Sequence, residues 1–407
     1  MSQRVLLHVG TPKTGTSGLQ DVLFRNRERL LEHGILYPAE RFDAHFLAAL
    51  DLMRLPWGGL ETEAFGAWDA LAAQVRAHEG TAIISHEILA TASRSQVGRA
   101  LESLGHRADG TGAEVHVVLS VRDLVRQVPA EWQENVKHRS TITFERFLEQ
   151  LRDPARESRI ATWFWGVQEI PDILDRWGHA LPPERIHVVT VPAPGGPPDL
   201  LWQRFTRAFG LDGLELDLTV ERANPSLGAP ETALVRRINQ AVNQRLDPAD
   251  YRPLVRELLA HRTLSQRSRS PRLALPPDVH PWAADLCARW VGEVRARGYD
   301  VVGDLEDLRG PSASTAWADP DAPSETQVAG AAVDAIAALL LDNARLSHEE
   351  QRLHAELAET RDALQRSYLR PSYRLRERVV GRLQGGRGGR AALRAYRAVR
   401  GRSSRSA

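Results

Sequence analysis

The sequence predicts a three-layer α/β/α architecture: a central parallel sheet with helices on both faces, then a helical C-terminal half, a long helix and a basic tail. Three observations carry that prediction. Short apolar runs recur along the first half, helical patterns separate them, and the first run ends in a glycine-bearing turn that opens a helix. Arg4 to Gly10 reads as a buried strand. Gly18 to His33 follows, with Leu19, Val22, Leu23, Leu30 and Leu31 at helical spacing and Gly34 placed as its C-cap. Thr81 to Ser85, Val115 to Val121 and Ile186 to Val191 are three further strands, and Phe65 to His78 and Asp123 to His138 are helices between them. Strands alternating with helices argue for a parallel sheet covered on both faces. Ligands of such sheets bind beyond the carboxyl ends of the strands, which directs attention to the residues after Val9, Ser85, Val121 and Val191.

The second half is more helical, with amphipathic patterns over Glu231 to Gln244 and Pro281 to Gly298. The domain reading is an α/β domain over 1–310, a linker over 311–327, a helix over 328–366 and an Arg-rich flexible tail over 367–407. Leu339, Leu346 and Leu353 repeat every seven residues beside Ile336, Asn343, Leu357 and Leu364, with Glu350 interrupting the seam. A short coiled coil, which would make a homodimer, and a helix packed on the main domain are both open.

Composition narrows the class. With 407 residues, 42% of them apolar and 26% charged, the chain has room for a substantial core. The single cysteine, Cys287, excludes a disulfide framework and a cysteine-built zinc site. No apolar run is read as reaching the roughly 18 residues of a membrane span, and the start lacks a signal peptide, so a cytoplasmic location is expected. The net charge of +1 hides an asymmetry: residues 366–407 hold 13 arginines and one acid, Glu377, leaving an acidic body. Only two of the 53 basic residues are lysines, Lys13 and Lys137. In so Arg-biased a chain, a retained lysine points to a task that a guanidinium performs poorly.

Gly10-Thr11-Pro12-Lys13-Thr14-Gly15-Thr16-Ser17 is the most informative stretch. A strand, a glycine turn with a lysine, and then a helix make an anion cradle, because backbone N–H groups and the helix dipole face the anion. The hydroxyls of Thr14, Thr16 and Ser17 are further candidate donors. The cradle is P-loop-like without being the nucleotide-binding motif. There the lysine follows the second glycine and a Ser/Thr holds magnesium, whereas Lys13 precedes Gly15.

Pro12 to Ser17 resembles the 5′-phosphosulfate loop of sulfotransferases that use 3′-phosphoadenosine 5′-phosphosulfate (PAPS). Val117 to Asp123 resembles that family's 3′-phosphate segment, with Arg122 at the strand end. The family's serine eight positions later is replaced by Ala130, a role that Arg126, Gln127 or a backbone group would have to fill. Asn224-Pro225-Ser226-Leu227-Gly228 resembles the late loop that closes over the nucleotide in the bacterial branch. The likeness covers about residues 4–300 and points to the carbohydrate-acting branch.

The resemblance implies PAPS as co-substrate with no metal, bound by Pro12, Lys13, Thr14, Gly15, Thr16, Ser17, Arg122, Asn224, Ser226 and Gly228. Lys13 would stabilise the leaving phosphate and Arg122 would grip the 3′-phosphate. The acceptor hydroxyl needs a base, for which carbohydrate-acting members use a Glu and members acting on phenols and steroids a His. Glu87 and His86 both follow the second predicted strand, and neighbours on an extended segment face opposite ways, so one of them faces the site. Glu87 is preferred. His45 is a weaker acceptor-site candidate and His8 reads as a core histidine. Lys137 is either a solvated helix-end lysine or a site residue. Trp163-Phe164-Trp165 reads as core before sugar platform, and Trp132, Trp202, Trp282 and Trp290 read as core.

Three functions compete at this point: transfer of a sulfuryl group from PAPS to a hydroxyl of a glycan or glycolipid; a magnesium-dependent nucleotide kinase or other phosphotransferase; and a non-catalytic protein that binds polyanions or membranes. The Arg-rich tail, unable to form a core, is expected to lie on an anionic membrane surface at the inner face of the plasma membrane. Nucleic acid is the rival partner.

Overall fold

The computed structural model describes residues 3–369 apart from 110, 220–225, 268 and 314–316, together with 371, 375 and 378. Six strands form one sheet: β1 (Arg4–Gly10), β2 (Ile35–Leu36), β3 (Thr81–Ser85), β4 (Glu114–Val121), β5 (Ile186–Thr190) and β6 (Asp300–Val302). Their order is β2-β3-β1-β4-β5-β6, and every pairing is parallel. The four strands expected from the sequence are present. β2 and β6 were not expected: they are two and three residues long, too short to register as apolar runs, and they sit at the two edges.

Alternate residues of the strands enter two cores. Val5, Leu7 and Val9 of β1 and Val115, Val117, Leu119 and Val121 of β4 pack into the larger one, with Trp68, Trp132 and Trp177 fully buried. Leu6, Ile83, Val118 and Val189 face the opposite layer, against Leu23, Phe205 and Phe209. Near-continuous apolar strands are what burial on both faces demands.

The helical elements follow the periodicity closely, with one break. The expected helix over Gly18 to His33 is two helices, Thr16–Arg25 and Arg27–Glu32, parted at Asn26. The Asn26 side chain bonds the Val22 carbonyl (2.8 Å) and the backbone of Asp217 on both its oxygen and nitrogen (2.9 Å each). A short amide that binds neighbouring backbone competes with the helix there. Gly34, at φ 75, ends the second helix as expected.

The chain divides into two compact units, Met1–Ala335 and Ile336–Ala407. Within residues 311–327, expected as a linker, Trp317 and Asp321 contact other parts of the first unit: the Trp317 indole donates to the Ala274 carbonyl, and Asp321 accepts from the backbone of Glu145 and pairs with Arg236. The long helix runs Glu325–Leu369, and Val328, Ala331 and Ala335 on it are buried. This helix departs from the expectation that no apolar stretch reaches the length of a membrane span. By length and composition Glu325–Tyr368 is long and apolar enough to cross a membrane, with a mean hydropathy of 1.2 over its most apolar stretch. Alanines, which contribute little individually to an apolar run, raise that average. Residues 379–407 of the basic tail lie outside the described residues.

Candidate active site

The sheet order places β1 between β3 and β4, so the chain leaves β1 to one side and later crosses to the other. A crevice at the carboxyl ends of such a switch point is where α/β sheets bind ligands. The three sequence candidates for chemistry sit there on adjacent strands: the Lys13 loop after β1, Glu87 after β3 and Arg122 after β4.

The loop is held from below by a buried polar cluster. His8 lies between the hydroxyls of Ser85 (2.8 Å) and Ser120 (3.0 Å), tying β1 to both neighbours. Burial pushes its pKa down to about 4, so it is a neutral core histidine, as its sequence setting suggested. Ser120 lies 2.6 Å from the Thr14 hydroxyl, which donates to the Thr11 carbonyl. Thr14 is therefore a brace within the loop, not the free anion donor expected of it. Thr16 is buried beside it, while Pro12 and Ser17 are half-buried and Gly15 is exposed. Gly15 has φ 88, and a Cβ there would lie 2.8 Å from Leu201. It precedes a ten-residue helix with no side-chain cap, leaving first-turn N–H groups without acceptors inside the helix.

Gly10 shows a second close approach. At φ 133, an added Cβ would meet the Glu87 carbonyl at 2.9 Å. The absence of a side chain there lets the 3₁₀ turn Glu87–Thr91 close over the end of β1. His86 caps that turn, its Nδ1 accepting from the Ile88 amide (3.3 Å), and its ring lies 5.1 Å from Phe46. The Glu87 carboxylate instead accepts from Gln20 (2.8 Å) on the helix that follows the loop. Burial acts to raise its pKa, but His86, the Gln20 hydrogen bond and His8 outweigh it and hold the carboxylate below its ordinary value. Of the two neighbours, Glu87 is the one tied to the loop side. His45 is buried, its Nδ1 accepting from the Ser85 amide (3.2 Å), and burial lowers its pKa to about 4; it braces β3.

Arg122 donates to the Lys13 carbonyl (3.3 Å), joining the β4 end to the loop. Among the described residues its Nε–H is buried with no partner, and burial, with Arg126 nearby, lowers its pKa to about 10. Burial disfavours the charged guanidinium there, and a buried N–H without an acceptor is costly. Arg126 is committed to Asp123 and to the carbonyl of Pro192 (2.9 Å), and Gln127 donates to the Pro12 carbonyl (2.6 Å). Ala130 itself is half-buried.

The sequence reading missed the acidic face opposite Lys13. The Lys13 ammonium lies 2.5 Å from Glu134, which also contacts His138 (3.1 Å) and Arg256 (3.3 Å). Burial would raise the Glu134 pKa, yet the His138 hydrogen bond and the charges of Lys13 and Lys137 hold it well below the carboxylate range. Glu131, one turn earlier and bonded to Gln168 (3.0 Å), is pushed by burial up to about 7 despite the pull of Lys13. Lys137 is buried, not solvated, and burial lowers it to about 8. The signal was available: Gln127, Glu131 and Glu134 recur at spacings of four and three on the Leu124–Lys137 helix, forming one polar stripe.

On the same helix, Gln133 clamps Leu227 by bonds to its amide (3.0 Å) and carbonyl (2.9 Å). Ser226 beside it is exposed, Gly228 packs against Glu231 and Ser270, and Asn224 lies outside the described residues. Phe164 and Trp165 are core, as are Trp132 and Trp290. Trp163 is half-buried, its ring tilted against that of Trp57 at 5.7 Å, and Trp57 lies 5.6 Å from Phe46. Among the described residues no group of three or more His, Cys, Asp or Glu side chains is placed to hold a metal ion.

The crystal structure of a sulfotransferase from Alicyclobacillus acidocaldarius is similar to this chain at a TM-score of 0.40 and 15% identity, over 75% of this chain and 98% of that one. No family model and no curated protein matches the chain. The functional reading rests on the residues of the site.

Proposed function

We propose that this chain is a sulfotransferase that moves a sulfuryl group from PAPS to a hydroxyl of a glycan or glycolipid. The observation that carries the reading is the convergence of Glu87, the Lys13 loop and Arg122 at the carboxyl ends of three adjacent parallel strands. The resemblance of the loop and of the β4 end to the PAPS-binding segments supports it. So does the orphaned Nε–H of Arg122, which has the charge and burial to bind a 3′-phosphate.

In this reading the uncapped helix start after Gly15 holds the 5′-phosphate oxygens. Glu87 takes the proton of the acceptor hydroxyl as that oxygen bonds to sulfur. The bond from sulfur to the bridging oxygen breaks, and its electron pair stays on the nucleotide phosphate, where Lys13 balances the new charge. Such transfers demand in-line placement and charge stabilisation and little covalent work from the protein. His86, Phe46, Trp57 and Trp163 form a run of ring contacts leading away from Glu87, a surface suited to the apolar face of a sugar ring.

Incubation with PAPS labelled in the sulfuryl group, across glycan and glycolipid acceptors, tests the reading. Label is expected on an acceptor hydroxyl, with one nucleotide bisphosphate released per transfer. Label passing instead from the γ-phosphate of magnesium–ATP would assign the site to a phosphotransferase.

A further inference from the structure

We propose that residues 336–364 form a parallel two-stranded coiled coil with a second copy of this chain. The first three turns of the Glu325–Leu369 helix pack Val328, Ala331 and Ala335 into the first compact unit, and beyond them the exposure pattern changes. Ile336, Leu339, Leu346, Leu353, Leu357 and Leu364 are between 39% and 56% exposed. Leu340 and Leu341 are exposed off this stripe, but from residue 342 to 364 the exposed leucines, Leu346, Leu353, Leu357 and Leu364, all lie on it, and an isolated helix in water has no reason to keep such a stripe.

Their spacing identifies the occupant. Taking Ile336 as position a, the a series is Ile336, Asn343, Glu350, Leu357 and Leu364, and the d series is Leu339, Leu346, Leu353 and Thr360. A repeat of 3.5 residues held over four heptads is the pattern of a helix that packs against a supercoiled partner, and a copy of itself matches that register. Asn343 is an uncharged polar residue inside the seam, the device that fixes the register of parallel pairs. The flanking charges agree with the parallel orientation. Glu349 and Glu356 occupy g positions, and the e positions that they meet across a parallel pair are His354 and Arg361. Along the helix Arg345 pairs with Asp342 and Arg352 with both Glu349 and Glu356, so in a dimer the two g-position glutamates are shared between Arg352 and the facing e positions. Glu350, which faces its own counterpart, and Thr360, a polar d position, weaken the seam and set a dimer that is weak for its length.

Sedimentation of the full chain tests this directly. A dimer is expected, and the double variant Leu346→Arg, Leu353→Arg should sediment as a monomer while the first unit keeps its unfolding midpoint. Glu350→Leu should tighten the dimer by about tenfold, or about 1.4 kcal/mol. Because Cys287 is the sole cysteine and is buried, Asn343→Cys reads orientation cleanly: a parallel pair brings the two new thiols together and cross-links on mild oxidation. A full chain that is monomeric at every concentration overturns the proposal, including one that is monomeric yet held on lipid vesicles by this helix. A dimer that survives the double arginine variant places the contact elsewhere. A dimer of the Asn343→Cys chain that does not cross-link refutes the parallel register.

Discussion

Lys13 sits between two demands. Its ammonium lies 2.5 Å from the Glu134 carboxylate, and a leaving phosphate in the proposed reaction would share that charge. A compact ammonium can turn from one oxygen to another in a way that a planar guanidinium fork cannot, which accounts physically for one of only two lysines in the chain. Lys13→Ala should therefore lower turnover by about 100- to 1,000-fold, as loss of one charge-stabilising donor does, with the unfolding midpoint preserved. Sulfuryl transfer at the wild-type rate would remove Lys13 from the chemistry. Glu87→Gln keeps the shape and the contact with Gln20 but holds no negative charge to take a proton. It should depress the rate constant far more than nucleotide affinity, measured by comparing turnover with equilibrium binding. Equal losses in both would make Glu87 a structural residue. These two side chains were legible in the sequence because each directly follows an apolar strand. The place of Glu134 on a polar stripe with Gln127 and Glu131 was legible, but its pairing with Lys13 was not, because nothing in the sequence pairs a residue of one loop with a helix position 121 residues later.

The Leu124–Lys137 helix shows what element-level reading supplies and where it stops. Its limits are almost those expected, set by Asp123, whose side chain accepts from the Arg126 amide (2.9 Å), and by His138. Its interior holds a stripe of buried polar groups, Gln127, Glu131 and Lys137 among them, which periodicity alone assigns to solvent. Burial of that stripe follows from the packing of this helix beneath the loop, a tertiary fact. The two short edge strands were illegible for the complementary reason, since two or three residues gain their structure from a neighbour's backbone. The buried stripe has a pH signature. Glu131 is raised from 4.5 to about 7, so between those values the folded state holds a proton that the unfolded chain has lost. Stability from this group is fully present below pH 4.5, falls as the pH rises through about 7, and is flat above that. Glu131→Gln removes the dependence. The variant's stability relative to the parent should rise across that window by an amount bounded at about 3 kcal/mol, read from paired thermal melts. A constant difference across the window would mean that Glu131 does not titrate there.

In the molecule as a whole, an α/β unit is joined to a long helix and a tail that carries 13 arginines against one acid from residue 366 onward. Charge of that density gains about 1 kcal/mol per residue near an anionic lipid surface, and a glycolipid acceptor would be met there. Removing 367–407 should leave transfer to a soluble acceptor intact and release the protein from anionic vesicles; equally tight binding by the shortened chain would end the anchor reading. The architecture was legible because alternating strands and helices leave few topologies, whereas an acceptor is chosen by surfaces that no spacing encodes. Calorimetric binding decides which nucleotide the site takes. 3′-Phosphoadenosine 5′-phosphate should bind the wild-type chain without metal and more tightly than magnesium–ATP. Arg122→Ala should weaken it by about 2–3 kcal/mol and leave adenosine 5′-phosphosulfate, which lacks the 3′-phosphate, almost unaffected. Tighter binding of magnesium–ATP, or equal losses for both adenosine ligands in the variant, would contradict the account.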